Sequence, residues 1–157
     1  MGYFGVNLGC GGVYRDGWLN VDVDRSVRAD LYLNVNESSL PKTDYVWAHN
    51  ILEHLKVSGI RNVVGALNVG GVLEGIVPHY LSRHAYNDVE HRIFFNINTF
   101  DSIEGVVVDR LRVVYCVGGL LKFELPLWFV RFHERFFGGF FPPSHIWFRL
   151  IKSKHQG

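Results

Sequence analysis

A chain of 157 residues, 48% of them apolar, can bury one core and is short for two ordinary domains. A net charge of +1 gives no overall pull toward nucleic acid or acidic substrates, and charges interrupt every apolar run before it reaches membrane-spanning length. The charge is uneven: from Arg110 onward eight Lys/Arg face two Asp/Glu, leaving +6 there and −5 elsewhere, which suits an anionic partner or a plain solvated face.

Gly5–Leu8 is a short apolar run ending at glycines, the pattern of a strand buried on both faces. Trp18–Asp24 and Asp30–Val35 alternate and predict a second and third strand, and Asp44–His49, rich in β-formers, a fourth. Asn50 followed three residues later by Glu53 is a capping-box pattern for a helix start. Ser58–Gly59 re-cap a helix to about Val69, and Gly70–Gly71 stop it. Val72–Val77 predicts a fifth strand, Asn96–Ile103 a short helix and Arg110–Val117 a sixth strand. Leu127–Phe137 predicts a helix and His145–Lys152 a last alternating strand. Strands mixed with helices predict an α/β domain with a mostly parallel sheet, one domain over residues 1–157.

Cys10 and Cys116 fit neither a metal site nor a disulfide framework, so a reducing, cytoplasmic setting is expected. The first residues lack the basic and apolar segments of a signal peptide.

Only Gly9–Gly17 separates the first two strands, whereas a parallel crossover normally takes a dozen or more residues and a helix. A helix after the glycines is therefore truncated or missing. In a dinucleotide site the pyrophosphate rests on that helix, and G-x-G-x-x-G is its fingerprint. Here Gly9-Cys10-Gly11-Gly12 has no glycine three after Gly11. The loop can approach a ligand closely but offers no row of free N–H groups to phosphate. Asp22, at the end of the second strand, can accept hydrogen bonds from both hydroxyls of a ribose. Together they suggest an adenosine-type ligand without phosphates, and they argue against a nicotinamide dehydrogenase.

The order VNLGCGG, GWLNVDVD, Leu40–Pro41, HNILEHL, NVGGVLEGIVPHY, DVEHRIFF resembles the class I S-adenosylmethionine-dependent methyltransferases, in particular their small type 11-like branch. The resemblance implies a Rossmann-like, mostly parallel seven-stranded sheet whose last strand is antiparallel and inserted beside the others. It implies S-adenosylmethionine as cofactor. Gly9, Cys10 and Gly11 would pass under its methionine part, and Asp22 would hold the ribose. Asn36 and Glu37 would meet the adenine, Asn36 through its amide oxygen. His49 and Asn50 would flank the sulfonium. Asn7 stands where many relatives have an acid, which removes a charge near the cofactor's amino group. The usual helix and lid before the first strand are expected to be absent, so the substrate's cover must come from elsewhere.

His79, Tyr80, His84, Asp88, His91 and Arg92 crowd the loop after the fifth strand, at the carboxyl end of the sheet where ligands bind. On the methyl-transfer reading they lie at the acceptor side. A histidine there can take the proton of an O or N nucleophile, His79 first and His91 second. Tyr80, His84 and Arg92 would meet the substrate. The plainer role is hydrogen bonding to loop backbone. His79, His84, Asp88 and His91 match no strong metal spacing, so no metal is expected.

In Leu127–Pro143, Arg131, His133, Glu134 and Arg135 fall close together and leave Phe129, Phe132, Phe136 and Phe137 for an apolar side. That side can pack on the sheet. It can also cover the acceptor pocket or form a homodimer or membrane-surface contact through residues 127–141. The leading expectation is methyl transfer to an O or N acceptor whose identity the residues do not give. The other is a non-catalytic binding or scaffold protein that kept the fold.

Overall fold

Five parallel strands build the first half of the sheet: β1 (Val6–Leu8), β2 (Leu19–Asp22), β3 (Leu31–Tyr32), β4 (Thr43–His49) and β5 (Leu67–Pro78). They are seen in a computed structural model, which describes residues 2–117, 121–136 and 142–154. Three more follow, β6 (Val106–Val117), β7 (Leu121–Glu124) and β8 (Pro143–Lys152). The order across the sheet is β3-β2-β1-β4-β5-β8-β6-β7. β8 runs antiparallel to both β5 and β6, so the last strand of the chain is inserted between them as expected. The short strand β7 is an addition to that plan, a hairpin partner of β6 on the sheet edge.

Burial follows the pleat. Ile146, Phe148 and Leu150 alternate along β8 and are fully buried, as are Val46 and Ala48 on β4 and Leu73 and Val77 on β5. Helix α1 (Val57–Ala66) turns Ile60, Val63 and Val64 inward and lies against β5. The partners of Arg149 on β8 tie three strands: Glu74 on β5 at 2.7 Å and Asp109 on β6 at 3.1 Å.

No helix joins β1 to β2; residues 9–17 are turns and irregular chain. Two buried asparagines hold this short crossover in place of a helix. Asn7 Nδ2 donates to the Val13 carbonyl at 2.8 Å and to Asn20 Oδ1 at 2.9 Å. Asn20 Oδ1 also accepts from the Arg15 N–H, and Asn20 Nδ2 donates to the carbonyls of Arg15 and Trp18 and to Asp30. The sheet face left bare by the missing helix carries Tyr45 and Trp47, which alternate with Val46 and Ala48. Trp18 and Phe4 pack on Tyr45, and the Arg15 guanidinium lies 5.0 Å from the Trp47 ring centroid.

Several local expectations change. α1 stops at Ala66, not near Val69, and β5 begins at the next residue. Gly70 (φ 81°) lies inside β5, where the register against β4 shifts between Thr43 and Tyr45, so the glycines shape a bulge and do not end a helix. The capping box does not form: Asn50 has φ 50°, and Glu53 belongs to a single buried 3-10 turn, Leu52–His54, without a side-chain cap. The start of α1 is served instead by Asn36 Oδ1, which accepts from the Lys56 N–H at 2.7 Å. Asn96–Ile103 forms only the 3-10 turn Thr99–Ser102, because Asn96 Oδ1 accepts from the N–H groups of Asn98 and Thr99.

Helix α2 (Leu127–Phe136) lies against β6 with an inner face that differs in part from expectation. Val130 and His133 are buried, whereas Trp128, Phe132 and Phe136 are exposed. His133 and Glu134 turn inward because they have partners there, while Arg131 and Arg135 stay exposed: Glu134 bonds His79, and His133 Nδ1 meets the Tyr115 hydroxyl at 3.3 Å. Phe137 and the rest of the expected 127–141 contact lie outside the described residues. No helix among the described residues is long and apolar enough to cross a membrane.

The Asp30 carboxylate carries a testable pH signature. The Tyr14 hydroxyl (2.7 Å), then the Asn20 N–H (2.8 Å), hold its carboxyl below the usual range. A depressed carboxyl adds stability above the unfolded-chain value of about 4, and that stability is lost as pH falls through the folded value. The urea midpoint should therefore drop below about pH 4, and Asp30→Asn should flatten that drop. An equal drop in the variant refutes the assignment.

Candidate functional site

The carboxyl ends of the parallel strands open on a cleft of about 350 Å³. Gly9, Asp22, Asn36, Ile51, His54 and Arg92 contribute to its wall. Gly9 has φ 63°, and a Cβ there would stand 2.7 Å from Ile51 Cγ1, so both backbone and space demand glycine. The N–H groups of Gly9 and Cys10 donate to the Val21 carbonyl at 2.8 and 3.1 Å, which folds the loop back over β2. Asp22 Oδ2 accepts from the Gly11 N–H at 2.8 Å and Oδ1 from the Asp24 N–H at 2.9 Å. A carboxylate has about four acceptor positions, so about two remain for a ligand.

The other residues expected at the cofactor are spread more widely. Asn7 is buried in the crossover network and is not part of the cleft wall. The Cys10 side chain is buried, its Sγ 3.6 Å from the Arg28 carbonyl oxygen; burial, then the charge of Asp22, push its thiol up. Asn36 lines the cleft, but the amide oxygen expected to meet adenine already accepts from Lys56. Glu37, His49 and Asn50 are exposed and stand outside the cleft wall.

On the side expected to face an acceptor, the first-choice base is buried. His79 is fully buried; its Nδ1 accepts from the Leu81 N–H at 3.1 Å, so Nε2 carries the proton and donates to Glu134 Oε1 at 2.5 Å. With no accessible surface and both nitrogens engaged, His79 pins α2 to the end of β5 and presents no free nitrogen to the cleft. Tyr80 packs on the His79 ring, and burial pushes its hydroxyl up. His84 is exposed and stacks on His145, outside the cleft wall. Arg92 does line the cleft. His91 comes near it through His54, the two rings meeting edge to face at 4.6 Å.

Two neighbouring residues lie outside the expected site set: Glu53 and His54. The Glu53 carbonyl accepts from the N–H groups of Arg92 and Ile93, which clamps the 91–93 segment against the turn after β4. The Glu53 side chain is 2% exposed, neither carboxylate oxygen has a hydrogen-bond partner, and burial pushes its carboxyl up to about 7. Burial, then the charge of His91, pull His54 down. The available signal was an acid and a histidine set inside the apolar run Ile51-Leu52-Glu53-His54-Leu55, where a surface helix would not place them.

The sequence matches no family model and no curated protein. Solved structures do match it. An S-adenosylmethionine-dependent methyltransferase from Archaeoglobus fulgidus superposes with a TM-score of 0.65 at 14% identity, over 96% of this chain and 86% of that one. This is the class I methyltransferase fold. The N-methyltransferase NodS from Bradyrhizobium japonicum, solved with S-adenosyl-L-homocysteine, gives 0.62 at 12% identity over 96% and 78%. The methyltransferase fold also includes the cyclase SpnF among these neighbours, at 0.64 and 15% identity over 98% and 76%. At such identities the likeness concerns the fold.

Proposed function

We propose that the chain binds S-adenosylmethionine in the cleft beside Asp22 and transfers its methyl group to an O or N acceptor. The observation that carries this reading is the Asp22 carboxylate, held by two backbone N–H groups with acceptor positions left at the wall of an open cleft. The fit is supported by Gly11 and Gly12, beside which nothing lies within 4 Å of where a Cβ would stand, and by a crossover without the helix that a pyrophosphate would need. The neighbours named for S-adenosylmethionine-dependent transfer support the same ligand.

When bound, the cofactor supplies a methyl carbon activated by its sulfonium. The work left to the chain is to align the acceptor and exclude water. Asp22 would hold the ribose, and the Gly9–Gly11 backbone would support the methionine part. Arg92, at the cleft wall, would face an anionic acceptor. His91 remains the candidate to hold an acceptor proton: a bond from its Nδ1 to the Ala85 carbonyl leaves Nε2 as the basic nitrogen. The type 11-like branch, the single domain and a cytoplasmic setting belong to this reading.

Calorimetry decides it first. S-adenosyl-L-homocysteine should bind one-to-one in the micromolar range, with no comparable heat from NAD. Absence of heat with both S-adenosylmethionine and S-adenosyl-L-homocysteine overturns the reading.

A further inference from the structure

Glu53, His54 and His91 form a cluster that cofactor binding leaves unexplained. One ligand-capable atom from each lies within 4.8 Å of the others. Glu53 is almost fully buried, and neither oxygen has a hydrogen-bond partner. Folded proteins seldom keep a carboxyl group in that state, because the desolvation is not repaid. The group calls for a positive partner.

The histidines are arranged to help supply one. His91 Nδ1 lies 2.9 Å from the Ala85 carbonyl oxygen. A carbonyl only accepts, so Nδ1 carries the proton and Nε2 keeps its lone pair. Imidazoles that bind metal are oriented by this kind of second bond. The His54 ring stands against His91 and lines the cleft.

We propose that Glu53, His54 and His91 bind one divalent first-row transition-metal ion. Two imidazoles and one carboxylate make a mixed nitrogen and oxygen set that suits Zn²⁺, Fe²⁺ or Co²⁺, whereas Ca²⁺ and Mg²⁺ favour oxygen ligands. Three protein ligands leave coordination positions for water or substrate. His54 lies within the same reach of Asp88 and Glu90, but both are exposed and lack the buried Glu53's need for a partner. With an ion bound, His91 Nε2 would no longer be free to take the acceptor's proton; on the methyl-transfer reading the ion, beside the cleft, would take over that role by lowering the pKa of an acceptor hydroxyl. Metal binding itself does not rest on that reading.

The test uses the full chain stripped of metal with a chelator and titrated with Co²⁺, whose visible absorption reports nitrogen and carboxylate ligation, then displaced by Zn²⁺. One equivalent should bind. Glu53→Gln and His91→Gln should each weaken binding about tenfold or more, with circular dichroism unchanged. Asp88→Asn and Glu90→Gln should bind like the wild type. Absence of saturable absorption overturns the proposal. So does wild-type affinity in Glu53→Gln and His91→Gln, or loss of binding in Asp88→Asn or Glu90→Gln. Should His91→Gln fail to fold, Glu53→Gln decides, since it replaces the buried acid by a neutral group of the same shape. S-adenosyl-L-homocysteine binding is measured separately, so its failure would leave the metal result standing.

Discussion

Asn20→Val should cost about 3–5 kcal/mol of stability, by far more than its modest change in size. Asn20 is fully buried, and its amide holds the whole β1–β2 crossover. It bonds the N–H and C=O of Arg15, the carbonyl of Trp18, the amide of Asn7 and the carboxylate of Asp30. Valine fits a strand but returns none of these bonds, and each buried group left unpaired costs about 1–3 kcal/mol. Asp30 keeps Tyr14 and Asn7 keeps Val13, so the loss falls mainly on residues 15 and 18. For a chain of this length the melting temperature should fall roughly 10 °C, since about 1 kcal/mol moves it 2–4 °C. Urea unfolding checks the value. Asn7→Ala combined with Asn20→Val should be less than additive, because the two share a bond. A shift below about 1 kcal/mol would mean that the crossover is held by something else.

The parts legible in the sequence were those set by local pattern. Hydrophobic runs and alternation located β1, β2, β4 and β8, and the resemblance supplied the insertion of β8 between β5 and β6, which no periodicity encodes. The shortness of Gly9–Gly17 disclosed the missing helix. The asparagines that replace it were not legible as such, because Asn in a strand is disfavoured by propensity and only the tertiary partners of Asn20 explain it. Turn chemistry misled twice. Asn50-x-x-Glu53 has the letters of a capping box, yet the Asn50 backbone is left-handed and Glu53 is buried. Helix α2 misled for a similar reason: its periodicity is real, but Glu134 and His133 find partners inside, and those partners lie 55 and 18 residues away along the chain. Long-range pairing of polar groups is what a local reading cannot supply, and it governs both the position of His79 and the cluster around Glu53.

Asp22→Ala should weaken S-adenosyl-L-homocysteine about 30-fold or more while leaving NAD without affinity. Charge-assisted hydrogen bonds are each worth about 1.5–3 kcal/mol, and about 2 kcal/mol corresponds to 30-fold in the dissociation constant. The carboxylate has a second duty that must be separated from the first. It accepts from Gly11 and Asp24, so its removal also frees the glycine loop that would support the ligand. Asp22→Asn divides the two effects. An amide keeps one acceptor oxygen but turns N–H groups toward one of those backbone donors, so it disturbs the loop about as much as alanine while sparing part of the ribose contact. Binding that ranks wild type, then Asn, then Ala, with urea midpoints of the variants close to each other, assigns the loss to the ligand. Affinity in Asp22→Ala equal to that of the wild type would remove the carboxylate from the site, and with it the reason to place a nucleoside in this cleft.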